Sequence, residues 1–157
     1  MSYNVALCAQ KSRCIIGLYM VSIQKKELPA EDLKRLGVEA VYLFGSQAEG
    51  VAGETSDIDV GILLKPSIPK SESITPLYNS LFDMLSDSFD MSHFRTIDIV
   101  FLDRAPLELC FDVIQHGIVL YESSPTVRMD FEERIVALYR DFQPILRQFN
   151  EAVLEKI

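Results

Sequence analysis

The sequence predicts an α+β domain of α/β-like layout: a small, mixed, twisted sheet with flanking helices and a helical C-terminal tail. Three observations carry this. Short apolar runs rich in Val, Ile and aromatic residues (39–44, 57–64, 96–102 and 118–121) alternate with stretches whose apolar residues recur at helical spacing. Gly45-Ser46 closes the first of these runs, and Asp57-Ile58-Asp59 opens the second after a ten-residue gap. From Phe131 onward a single helical stripe runs to the end of the chain. The 157 residues are enough for one domain with its own core.

Residues 1–27 read as an N-terminal extension, and nothing in 1–23 suggests chemistry. Lys11 and Arg13 precede the apolar stretch Cys14 to Val21, as in a signal peptide. That stretch is short, contains Gly17 and is followed by Gln24-Lys25-Lys26 in place of a small-residue cleavage site. It is also too short to span a bilayer, so no membrane association is expected, and it reads as a strand or a core-facing segment. Met20 is a candidate start of the working domain. Pro29 suits a first helical turn, Glu31 and Asp32 favour its positive end, and Gly37 suits its end, which predicts a helix over about 28–36. Strand 39–44 follows, then the Gly-rich segment 45–56, then strand 57–64, ended by Lys65-Pro66. Ile74, Leu77, Tyr78, Leu81, Phe82, Leu85 and Phe89 mark a helix between Ser71 and Asp90. Strand 96–102 comes next, and Pro106 opens a helix that ends near His116-Gly117. Residues 118–121 read as a short edge strand. The main domain is thus expected over 28–122, with a tail over 123–157. In the tail Phe131, Ile135, Leu138, Phe142, Ile145, Phe149, Val153 and Ile157 form one stripe, which Pro144 should kink or divide.

Hydrophobic residues make up 48% of the chain and charged residues 24%, which excludes a disordered protein. The net charge of −8 repels a phosphate backbone and argues against nucleic acid as a partner. Cys8, Cys14 and Cys110 are odd in number and lack Cys-x-x-Cys spacing; they fit reduced thiols in a cytoplasmic protein. Cys110 reads as core.

Asp is depleted in strands, and a carboxylate near a core is costly, so Asp57 and Asp59 need a reason. Residues i and i+2 of a strand share a face, which sets these two carboxylates side by side with Cα atoms roughly 6.7 Å apart. Such hard oxygen ligands, with waters and substrate phosphates completing an octahedron, suit Mg²⁺. Asp98, between Ile97 and Ile99 in the next strand, is the candidate third carboxylate. The Gly45-Ser46 turn lets backbone N–H groups approach a phosphate and adds a hydroxyl, and a short helix starting at Ser46 would aim its positive end at the same anion. Bland readings stand beside these. Asp57 and Asp59 would then be solvent-facing strand-end residues, Asp98 an exposed strand residue, and Ser46 a helix cap, which uses the same geometry as phosphate binding. His93 and His116 read as a loop and a helix-end residue, and Arg95 and Lys65 as solvated flanks of the aspartate strands.

Gly-Ser, ten residues, then Asp-x-Asp resembles the DNA polymerase β-like nucleotidyltransferase superfamily, over roughly residues 28–122. The short chain and Asp98 resemble its minimal branch, the MNT proteins paired with HEPN-domain partners as toxin–antitoxin systems. The resemblance implies the polymerase β-like fold and a phosphate role for Gly45 and Ser46. It implies two Mg²⁺ ions on Asp57 and Asp59, with Asp98 completing the ion that activates the acceptor hydroxyl. The implied reaction is nucleotidyl transfer from ATP, here adenylylation of a tyrosine on a HEPN toxin by its antitoxin. The chain departs from the family pattern at Gln47-Ala48-Glu49, where many members carry a basic residue that helps hold the triphosphate. Two other functions remain open: an interaction protein of the same fold that neutralises its partner without catalysis, and nucleotidyl transfer to a small molecule. About 35 residues beyond Tyr121 leave little room for the second domain that the last would need. The tail stripe exceeds what one face of a small sheet requires, so part of it either docks a partner or makes a homo-oligomer through the C-terminal helix, or else all of it packs on the sheet.

Overall fold

The computed structural model describes residues 28–53, 56–66, 73–89, 91 and 96–154, with side chains described as far as residue 148. The N-terminal stretch, Cys8, Cys14, Met20, His93 and Arg95 lie outside the described residues. The elements are α1 (Ala30–Arg35), β1 (Val38–Phe44), α2 (Gly45–Glu49), β2 (Ile58–Leu64), α3 (Thr75–Ser88), β3 (Ile97–Phe101), α4 (Leu107–His116), β4 (Ile118–Glu122) and α5 (Pro125–Leu154). Four strands form one mixed sheet in the order β3-β2-β1-β4. β1 is antiparallel to both β2 and β4, whereas β2 and β3 run parallel. A parallel neighbour needs a crossover, and α3 provides it.

The strand order explains the residue pattern. β1 and β2 are the two central strands, covered on both faces, and are almost wholly apolar apart from Glu39 in β1 and Asp59 in β2. β3 and β4 are edges, and each exposes part of its length. One face of the sheet packs Val41, Leu43, Ile58, Val60, Ile62, Ile97 and Ile99 against Leu33 of α1 and Leu81 and Leu85 of α3. The other packs Ala40, Tyr42, Phe44 and Leu63 against Cys110 and Val113 of α4 and Phe131 and Ile135 of α5. The result is helices, sheet, helices. α4 comes so close to β2 that a side chain at Gly61 would press on Val113 and Leu102, each about 3.3 Å from a Cβ placed there.

Among the described residues every expected element is present, with ends shifted by a few residues at most. The Gly-rich segment 45–56 holds the short helix α2, which begins at Gly45, one residue before its expected start. Pro144 does not divide the tail: α5 is one helix of 30 residues. The proline is exposed, as is Arg140, whose carbonyl loses its helical donor, so water can satisfy it. Cys110 is buried as expected, its thiol donating to the Leu102 carbonyl at 3.2 Å. His116 ends α4 and lies 2.9 Å from the Asp112 carboxylate one turn back. No described helix is long and apolar enough to cross a membrane.

Among the described side chains, the first part of the tail stripe reaches the sheet. Phe131 and Ile135 are buried, and Tyr139 stacks on Phe111 of α4 with ring centroids 3.8 Å apart. Beyond them Leu138 is 50% and Ile145 58% exposed. α5 outruns its support, because at about 1.5 Å per residue it is some three times as long as α4.

A polar clip fastens α5 to the sheet. The buried Tyr42 hydroxyl donates to the Glu132 carboxylate at 3.0 Å, and Arg128 bridges Glu132 at 2.7 Å and Glu122 of β4 at 2.6 Å. Burial, then the Glu132 charge and its hydrogen bond, push the Tyr42 hydroxyl far above the ordinary tyrosine value. The unfolded tyrosine ionises near pH 10 while the folded one stays neutral, so this stabilisation is complete below pH 10 and lost as pH rises toward the folded value. Tyr42→Phe should therefore cost about 1 kcal/mol at pH 8 and flatten the alkaline decline, as read from urea unfolding at pH 8 and pH 10.5. Tyr121, also shifted upward by burial and by Glu39 and Glu31, keeps a residual slope in the variant.

Candidate functional site

The predicted site residues gather at one end of the sheet, where β1 ends and where β2 and β3 begin. Asp59 pairs in register with Phe44 across the antiparallel ladder and with Asp98 across the parallel one. Alternation puts Ile58 and Val60 into the α1/α3 core, so Asp57 and Asp59 stand with Gly61 and Leu63 on the α4/α5 face. Asp98 shares that face. Along β2 the positions run from acidic at the open end to glycine and leucine under α4. The carboxylates therefore lie just beyond the edge of the covering helix. Asp57 and Asp98 are exposed; Asp59 is intermediate.

Burial raises the Asp59 carboxyl above the ordinary aspartate range, and the charges of Asp98 and then Asp57 raise it further. No group of three acidic, His or Cys side chains among the described residues is arranged to hold a cation as it stands. The donor chemistry itself fits a hard divalent ion: carboxylate oxygens only, on one face, at the open end of the sheet.

Gly45 takes a left-handed conformation, φ 65°, at the corner where β1 becomes α2. A side chain there would also overlap the Asp59 carboxylate. Glycine is thus required twice, for its backbone and for the space it leaves. Ser46 follows, partly exposed, and its carbonyl accepts the Val51 N–H at 3.1 Å, closing the loop behind it. Glu49 is exposed at the end of α2. Lys65 is at the far end of β2, away from this corner.

Two residues that the sequence reading passed over take part. Gln47, read there only as part of the unhelpful Gln-Ala-Glu stretch, is 6% exposed. Its amide Nε2 donates to the Ser56 carbonyl at 3.2 Å and so ties α2 to the loop that delivers Asp57. Ser56 is pinned in turn by Gly53, whose N–H donates to the Ser56 hydroxyl at 2.9 Å. Thr96 donates its hydroxyl to the Asp57 Oδ1 at 2.8 Å and its N–H to the same oxygen at 3.3 Å. The signal for Thr96 was present: Thr96 and Asp98 have the i, i+2 spacing of Asp57 and Asp59.

A family model described as Polymerase beta, Nucleotidyltransferase matches residues 30–126. Solved structures with the same fold include a toxin–antitoxin with AMP-PNP (22% identity, TM-score 0.59, 81% of this chain and 99% of that one). Another is a MntA–HepT toxin–antitoxin (19%, TM-score 0.55, 82% and 99%). A third is a tri-AMPylated Shewanella oneidensis HEPN toxin in complex with MNT antitoxin (20%, TM-score 0.54, 80% and 95%). No curated protein matches the chain.

Gly45→Ala forces a side chain into the left-handed region and into Asp59. The variant should lose about 1–2 kcal/mol or more of stability, measured by denaturant unfolding. Gly50→Ala is the control, since φ 74° imposes the same backbone strain in open space. The difference between the two isolates the cost of displacing Asp59.

Proposed function

We propose that this chain, which belongs to the polymerase beta nucleotidyltransferase family, transfers AMP from ATP to a hydroxyl of a partner protein in an Mg²⁺-dependent reaction. The observation that carries this reading is the in-register pairing of Asp59 with Asp98, with Asp57 on the same face and Gly45 against the Asp59 carboxylate. Gly45 and Ser46 bind the phosphates through the backbone and the Ser46 hydroxyl. Asp57 and Asp59 would hold two divalent ions, with Asp98 completing the set of ligands. When bound, the ions offset the charge of the triphosphate and activate the attacking hydroxyl. The acceptor oxygen bonds to the α-phosphorus, the bond to pyrophosphate breaks, and the hydroxyl proton is released. The mutual repulsion of the three carboxylates is what a cation relieves. They therefore attract the ions more strongly together than any one would alone.

For the partner, the support comes from the neighbours of the same fold, which are toxin–antitoxin complexes, one with a tri-AMPylated HEPN toxin. The reading for this chain is an antitoxin that adenylylates a HEPN toxin, with a tyrosine hydroxyl as acceptor. The net charge of −8 favours a protein acceptor over nucleic acid. A second reading, neutralisation by binding alone, is favoured by the exposed acid Glu49 at the loop and by the exposed Leu138 and Ile145 on α5.

Incubation with ATP, Mg²⁺ and the product of the neighbouring gene should give an AMP adduct on that product, visible by intact mass. Asp57→Asn or Asp98→Asn should slow its formation by on the order of 10²-fold or more, the scale for losing a group that stabilises developing charge. An adduct that forms equally fast with Asp57→Asn would sink the site assignment. No adduct, with neutralisation intact in the Asp57→Asn, Asp59→Asn double variant, would establish the binding-only reading.

A further inference from the structure

Thr96 lies one position outside the last registered pair of the parallel ladder, Ile58 with Ile97, and accepts the Ile58 N–H on its carbonyl at 2.9 Å. It is therefore the cross-strand neighbour of Asp57, as Asp98 is of Asp59. The face presents three carboxylates and one hydroxyl in a two-by-two array. Both donors of Thr96 converge on one oxygen, Oδ1 of Asp57, and among the described residues neither reaches Oδ2.

We propose that Thr96 is a positioning residue: it clamps Oδ1 of Asp57 and thereby presents Oδ2 to the cation. The proposal rests on the metal-binding reading of Asp57. Asp57 is exposed and precedes the first residue of β2, so its own strand does little to restrain it. Two hydrogen bonds from the adjacent strand fix its orientation instead. A β-branched residue does this well, because its χ1 is stiff and the hydroxyl is already placed. Hydrogen-bonded outer partners of metal-ligating carboxylates characteristically tune affinity by about 10–100-fold.

Mn²⁺ titration of the full chain, followed by the paramagnetic resonance of the free ion, tests this without turnover. Thr96→Val keeps the shape and loses the hydroxyl; it should weaken Mn²⁺ binding by about 10-fold. Thr96→Ser restores the hydroxyl and should return to within about twofold of the parent. Thermal unfolding of each variant separates lost affinity from lost fold, and Thr96→Ala, which also lacks the donor and should weaken Mn²⁺ binding to the same degree, serves if the valine variant fails to fold. If Thr96→Val binds like the parent while Asp57→Asn does not, Thr96 is a structural clip and the proposal is wrong. Equal weakening in the serine and valine variants overturns it too. Should the parent and Asp57→Asn bind Mn²⁺ alike, the metal reading of Asp57 itself fails and takes this proposal with it.

Discussion

Between β2 and β3 the parallel ladder sets Asp59 beside Asp98, and a slip of one residue in either strand would bury a carboxylate among Leu81, Leu85 and Ile99. That penalty enforces the register, because an unpaired buried charge costs far more than a ladder hydrogen bond contributes. The same register leaves two acids adjacent, and the Asp98 charge adds to the upward push that burial already gives the Asp59 carboxyl. One pairing thus excludes alternatives and concentrates negative charge at a single open end of the sheet. The layers follow from it. Ile58, Val60 and Ile62 must face α1 and α3, and Gly61 and Leu63 must lie under α4.

Most of this was legible in the sequence because strand periodicity is strict. Once Ile58 and Val60 are assigned inward, Asp57 and Asp59 have nowhere to point but the other face. Gly45 was legible as a turn residue, yet the reason that only glycine fits, the Asp59 carboxylate packed against it, depends on a contact between strands that no local pattern encodes. Gln47 and Thr96 were missed on the same ground. Each acts through a hydrogen bond to a residue distant in the chain, Gln47 to Ser56 and Thr96 to Asp57. A polar residue at the end of an element has many bland uses, and only the fold selects among them. Division of the helix at Pro144, one of the two outcomes expected there, does not occur, for a different reason. Proline costs a helix one hydrogen bond, but whether that breaks the helix depends on exposure, which the sequence does not state.

The tail shows how a stripe can overstate a core. Its apolar period continues well past Tyr139, but the sheet face it could cover ends with α4. A helix held by Arg128, Glu132 and Tyr42 at its first turns, and exposing Leu138 and Ile145 farther on, presents an apolar ridge to its surroundings. Such a ridge is the physical basis of the second reading, in which contact with a partner does the work. It is equally compatible with catalysis, since a partner docked there would be held near the chain that modifies it.

Glu49 sharpens the question of rate. An exposed acid at the end of α2 adds to the negative charge of Asp57, Asp59 and Asp98 near the loop proposed to take the triphosphate. In the proposed reaction the divalent ions would then carry nearly all the neutralisation of the phosphates, with little help from that loop. Affinity for nucleotide would depend steeply on the free Mg²⁺ concentration, more so than in a site with a cation at position 49. Glu49→Arg should therefore lower the Mg²⁺ needed for half-maximal nucleotide binding. The check is calorimetric titration with a non-hydrolysable ATP analogue at several Mg²⁺ concentrations. If Glu49 instead points clear of the phosphates, the Mg²⁺ dependence of the variant and the parent will coincide.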